Sequence, residues 1–175
     1  YISTATFGSS KLTSKGGSDV FVTKLSPKGD FIWATRAGGK SSDLGFDIAA
    51  DSTGNSYVVG RFTSVATIGT AILTASVGSD VFVAKLDPNG KFAWAKNAGG
   101  EDGFGIALDS SGNSYITGRF WGMSTVGTTI LTANGTGTAI FVAKLDTNGN
   151  FKWANSAGGT GFNAGNGIAV GAGGN

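Results

Sequence analysis

The sequence predicts an all-β repeat protein, and three observations support that prediction. The unit Ser79 to Trp94 (SDVFVAKLDPNGKFAW) recurs with light editing as Ser18 to Trp33 (SDVFVTKLSPKGDFIW) and Thr138 to Trp153 (TAIFVAKLDTNGNFKW). Phe21 to Phe82 spans 61 positions and Phe82 to Phe141 spans 59, a period within the range of repeat architectures. No segment carries a sustained helical period, whereas short apolar runs alternate with turn residues at regular spacing. Finally, 31 glycines against only 2 prolines suit many tight turns between paired strands.

The elements follow in chain order. Tyr1 to Phe7 reads as a strand on its β propensity and is broken at Gly8-Ser9-Ser10. Val20 to Leu25 is a strand with Phe21, Thr23 and Leu25 on one face and Val20, Val22 and Lys24 on the other. Pro27-Lys28-Gly29 turns it into Phe31 to Arg36, which carries Trp33. Phe46 to Asp51 and Ser56 to Phe62 then form a hairpin across Ser52-Thr53-Gly54-Asn55.

This set recurs as Val81 to Leu86 with Phe92 to Lys96, then Phe104 to Asp109 with Tyr115 to Phe120. It recurs again as Ile140 to Leu145 with Phe151 to Asn155, and Ile168-Ala169-Val170 stands alone at the end. The longer connections Thr63 to Gly78 and Trp121 to Gly137 each hold a short apolar stretch after a glycine, as Gly8 to Leu12 does. They read as extra hairpins or ordered loops on one rim, where a partner would touch.

Composition excludes several function classes. The 175 residues, 40% hydrophobic, suffice for one domain's core, and 14% charged residues with a net charge of +2 leave no basic stripe for nucleic acid. No apolar run is long enough for a membrane span. The absence of cysteine and histidine excludes disulfides, thiolate chemistry, the usual zinc sites and an imidazole base. A lysine-poor surface rich in Ser, Thr, Asn and Gly leads us to expect a secreted or cell-surface location in a bacterium.

The residues Gly105 to Gly118 and their copy Gly45 to Gly60, together with Phe82 to Gly90, resemble the SBBP β-propeller repeat, a family named for a seven-bladed propeller. More distantly they resemble the NHL repeat. The resemblance implies blades of four antiparallel strands: Gly105 to Asp109 innermost, Tyr115 to Phe120 next, Ile140 to Leu145 third and Phe151 to Asn155 outermost. Three blades' worth of repeats are present, roughly 1–44, 45–103 and 104–166, with a closing strand at 167–171. The residues agree with that order. Ala49, Ala107 and Ala169 are small enough for a narrow channel, and Trp33, Trp94 and Trp153 supply bulk where blades splay.

The chain ends admit two registers. Tyr1-Ile2-Ser3 resembles Tyr57-Val58-Val59, and Asn175 matches Asn55 and Asn113, so the N-terminal strands would complete the C-terminal blade in a velcro closure. Aligned instead through Gly8 and Leu12, Tyr1 matches Phe62 and Phe120 and about six residues of the repeat period are missing. Because propellers close with about 4–8 blades, the expectation is a ring completed by a second chain or by further repeats, or else an open stack. The homodimer is preferred, since a self-complementary interface suits a cut near a repeat boundary.

No catalytic set, metal site or cofactor motif emerges. Asp43, Asp47, Glu101 and Asp102 lie in polar connections, where surface solvation explains them. The loops Asp51 to Asn55 and Asp87 to Gly90 resemble calcium loops but read as turns, because Asp87 is replaced by Ser26 and Asp109 by Gly171. Lys24, Lys85 and Lys144 either ring an anion or snorkel from strand surfaces, pairing with Asp19 and Asp80. The candidate ligand-binding residues are Trp121, Arg61 and Arg119. Trp121 stands where the preceding copy has Thr63, so blade packing does not require it. The arginines stack on Phe62, Phe120 or Trp121 to line a sugar pocket, or bond between blades.

The expected function is therefore a non-enzymatic extracellular binding or structural module taking a glycan or protein ligand. The alternatives are a lectin-like carbohydrate-binding propeller and part of a propeller hydrolase or lyase.

Overall fold

A computed structural model describes residues 1–171 and Gly174, and among them every regular element is a β-strand. The first hairpin joins β1 (Thr4–Phe7) to β2 (Ser10–Thr13). Next come β3 (Val20–Leu25) and β4 (Phe31–Gly39), paired antiparallel. One complete blade follows: β5 (Leu44–Ala50), β6 (Ser56–Ile68), β7 (Ala71–Leu86) and β8 (Phe92–Gly99), each hydrogen-bonded to the next.

A second complete blade has the order β9 (Asp102–Leu108), β10 (Ser114–Trp121), β13 (Thr138–Leu145) and β14 (Phe151–Ala157). Between its middle strands, β11 (Met123–Val126) and β12 (Thr129–Thr132) form a separate hairpin. The four-stranded antiparallel blades are those expected from the repeat. The outer half of a blade, β3 and β4, precedes them together with the β1–β2 hairpin.

The rim hairpins arise because the second and third strands of each repeat overrun their neighbours. In the first complete blade the overrun stays within β6 and β7, with a bulge between Thr63 and Val65, whereas in the second it separates as β11 and β12. Ser3, Ser64 and Gly122 occupy the same place in the three copies, and their φ angles are 67°, 61° and 53°. This left-handed residue redirects the strand, at a cost that Ser bears and Gly does not. It also separates the two N-terminal registers: Ser3 aligns with Ser64, so Tyr1 corresponds to Phe62. The register matching Tyr1-Ile2-Ser3 to Tyr57-Val58-Val59 is overturned, and β1 starts at Thr4 rather than Tyr1.

Alternating side chains divide each blade into two apolar faces, and each face meets the neighbouring blade. Tyr57, Val59, Val81 and Val83 pack against Ile106, Ile116, Phe141 and Leu145 of the next blade. On the opposite face Val58, Phe82, Ala84 and Leu86 pack against Val20, Val22 and Trp33. The outer face of β3 has no such cover, so Phe21 is 44% exposed where its counterpart Phe82 is 1% exposed.

The expected closing strand at Gly167 to Gly171 does not form. Residues 158–171 contain no strand, and no strand pairing joins the two chain ends among the described residues. The segment nevertheless runs beside β9 and β10: Gly165 N donates to Gly118 O at 3.2 Å, and Tyr115 Oη donates to Gly174 O at 3.0 Å. It thus sits against the second blade as β9 sits against the first, but without a partner strand its backbone has no ladder to complete. Asn175, matched above to Asn113, lies outside the described residues.

Candidate functional site

The rim hairpins carry the exposed side chains in which the copies differ most. Each ends in a tight turn at glycine, and strand alternation buries Ala66, Ile68 and Leu73 beneath while facing Val65, Ile72 and Thr74 outward. The second complete blade repeats this with Val126 and Leu131 buried and Met123, Ile130 and Thr132 outward. The hairpins of the two complete blades each lean on the outer strand of the unit before them. β4 pairs with β6 through Gly38 to Thr67, and Gly100 N donates to Ser124 Oγ at 2.6 Å.

Trp121 ends β10 at the base of this rim and is 46% exposed. Phe162 stands edge-on to it, with ring centroids 5.4 Å apart, and Phe162, Met123 and Val77 are all largely exposed. Trp121, Met123 and Val77 line a cleft of about 460 Å³ whose polar wall includes Asp80, Glu101 and Ser124. A corresponding cleft of about 530 Å³ at the preceding junction is lined by Lys15, Lys40, Ser64 and Val65. Phe162 and Val77 escaped the sequence reading, although Val77 departs from its counterpart Gly16 just as Trp121 departs from Thr63.

Arg61 and Arg119 do not join Trp121. Both converge on Asp102, which is buried: Arg61 Nη1 lies 3.2 Å from Oδ1 and Arg119 Nη2 lies 2.7 Å from Oδ2. Arg119 also pairs with Glu101 at 3.1 Å and lies over the Phe104 ring, not over Phe120 or Trp121. Arg61 belongs to β6 and Asp102 to β9, so the pair fastens one blade to the next.

The carboxylates expected to be solvated are instead structural. Asp43 is buried, its oxygens accepting from Gly39 N at 2.7 Å and Thr63 N at 3.0 Å. Burial raises its pKa, the two amides oppose that rise, and the nearby Asp19 charge adds to it. Asp47 accepts from Ile106 N of the next blade at 2.8 Å. The sequence reading missed these roles because each depends on which strand of the adjacent blade arrives to cover the carboxylate.

The lysines form no ring. Lys24 donates to Pro88 O, Lys85 lies 5.0 Å from the Tyr57 ring centroid, and Lys144 pairs with Asp109 at 3.3 Å and bonds Tyr115 Oη. The expected partners are engaged elsewhere, Asp19 by Arg36 and Asp80 by Ser76 and Asn97. In the Asp turns the side chains accept amides of their own loops, as Asp51 does from Thr53 and Asn55 and Asp87 from Asn89 and Lys91. No helix among the described residues is long and apolar enough to cross a membrane.

The chain is 32% identical over 115 residues, 60% of its length, to an uncharacterised WD repeat-containing protein of Acanthamoeba polyphaga mimivirus. The match spans only 8% of that protein. Residues 32–61, from the outer strand β4 through β5 into β6, match the family model described as SBBP, β-propeller repeat. On its blade order, its recurring units and that match, the chain carries the SBBP β-propeller repeat.

Proposed function

We propose that the chain is a non-enzymatic, extracellular binding module that holds a partner protein on its rim, with its blades as a rigid support. One observation carries this reading: Trp121 stands exposed beside Phe162, Met123 and Val77 in a place where the repeat's own packing needs no aromatic residue. Contiguous exposed apolar side chains of this kind mark interaction sites. The non-enzymatic reading is supported by the engagement of Asp43, Asp47 and Asp102 in hydrogen bonds and ion pairs that hold blades together. The test is partner capture by wild-type and W121A protein of equal thermal stability. Undiminished capture by W121A removes the proposal.

A carbohydrate-binding propeller is the second reading, favoured by the corresponding clefts at successive blade junctions. A glycan array without a hit in any sugar class excludes it. We further propose that another repeat, from a second chain or from the same polypeptide, completes the ring. The end faces support this: Trp153 is 38% exposed, and the space around Gly29, where the preceding blade's tryptophan would sit, is open. A mass in solution twice the 17.5 kDa of the chain favours two chains.

A further inference from the structure

We infer that the cleft beside Trp121 receives a basic side chain, Arg or Lys, presented by the partner protein. This inference rests on the protein-binding reading above and names the chemistry that reading leaves open.

Two features of the cleft point to a cation. Its wall includes two carboxylates, Asp80 and Glu101, and no lysine or arginine is among its lining residues. The nearest arginines are already committed, Arg61 to Asp102 and Arg119 to Asp102 and Glu101. Three carboxylates therefore face two guanidinium groups, which leaves one negative charge in excess. Asp80 accepts only from uncharged donors, Ser76 N and Oγ and Asn97 Nδ2, and forms no ion pair among the described residues. Beside this charge stands the exposed indole of Trp121, the aromatic ring that attracts a cation most strongly. Met123 and Val77 offer apolar surface along which the aliphatic stem of Arg or Lys would lie.

The neighbouring cleft supplies an internal contrast. It has the same place in the repeat but is lined by Lys15 and Lys40, with Val65 where this cleft has Met123. A basic side chain is repelled there and attracted at Trp121, so the opposite charges of the two clefts fix which junction it enters.

The test is an immobilised array of random octapeptides with one central position fixed as Arg, Lys, Gln or Glu, probed with wild-type, W121A and E101Q protein of verified fold. The inference expects retention on the Arg and Lys sets to exceed that on Gln by about tenfold, and on Glu by more. It also expects W121A to lose about tenfold, E101Q to lose several-fold, and added salt to weaken the preference. Should Trp121 substitution destabilise the protein, the exposed M123A variant reports on the same wall. Retention that depends on Trp121 but ignores the fixed residue, or favours Glu, overturns the basic-side-chain inference while leaving the protein-binding reading standing. Retention of no peptide by the wild type overturns both.

Discussion

Trp33 and Trp94 each send the indole N–H across to the following blade, to Pro88 O at 3.0 Å and Thr147 O at 3.1 Å. The approach is close enough that a Cβ on the receiving glycine would meet the ring at 2.6 Å for Gly90 and 3.0 Å for Gly149. Sequence showed a tryptophan repeating at the end of each unit but not that glycine repeats in order to receive it, since donor and acceptor lie on different blades. Trp94→Ala is expected to cost about 3 kcal/mol, through lost packing and an orphaned carbonyl. Trp153→Ala is expected to cost about 1 kcal/mol in the isolated chain, where the ring rests edge-on against Tyr115. Urea denaturation of both variants checks this, and equal losses would show that Trp153 also has an acceptor. The turn aspartates yield a second prediction at this scale. Burial raises the pKa of Asp51 and Asp109, but bonds led by Asn55 and Asn113 outweigh it and hold both at about 2. Both are therefore depressed below the unfolded value of about 3.9, so their stabilisation is full above that value and lost as pH falls towards about 2. Burial moves Asp43 the other way, partly offsetting the loss. The urea midpoint is expected to drop between pH 5 and pH 2.5, and to drop less in D51N/D109N. The same pH slope in both proteins would refute that assignment.

At the scale of elements, the rim hairpins depend on their turns. Gly69 and Gly127 have φ of 62° and 64°, and a Cβ at either would lie 2.5 Å from the Cβ of Phe92 or Phe151 on the outer strand. The same residue therefore supplies the left-handed turn and the close approach of hairpin to blade. Gly127→Ala is expected to destabilise by about 2 kcal/mol or more, because backbone strain of about 1 kcal/mol adds to a clash with a fixed strand. Thermal melts check it, and a loss below about 0.5 kcal/mol would mean that the hairpin moves freely. That an ordered element, hairpin or loop, stands at this rim was legible, since a short stretch follows a glycine at the same place in all three copies. Their function in bridging to the preceding blade was not: Gly38 and Thr67 recur as Gly99 and Thr125, but nothing in the local sequence says that one meets the other across two blades. Trp121 was legible for the opposite reason. It is aromatic where its counterparts are Ile2 and Thr63, and a change of residue type at one position of the repeat is visible where a long-range contact is not.

Over the whole molecule, burial is concentrated where one blade face meets another and thins out at both ends. Tyr57, Val59, Phe82, Val83, Ile116 and Phe141 are shielded by neighbours on both sides, whereas β1, β2 and residues 158–171 have a neighbour on one side only. In a stack of repeats stability is a sum of unit and interface terms, so the centre should open last and the ends first. Periodicity gave the recurring unit and its hairpins, which are carried by local alternation and turn residues, while the order of strands within a blade came from the resemblance to the SBBP repeat. It could not decide the N-terminal register or the state of Gly167 to Gly171, because a strand needs a partner as well as a pattern and the partner was not in the local sequence. Amide hydrogen exchange tests this gradient. Protection is expected to be greatest in β6, β7, β10 and β13, intermediate in β3, β4 and β14, and least in β1, β2 and residues 158–171. If a second chain completes the ring, protection of 158–171 should rise with protein concentration as its backbone finds a strand to pair with. Protection of that segment equal to β10 at every concentration would mean that the chain satisfies it unaided, contrary to the pairing described above.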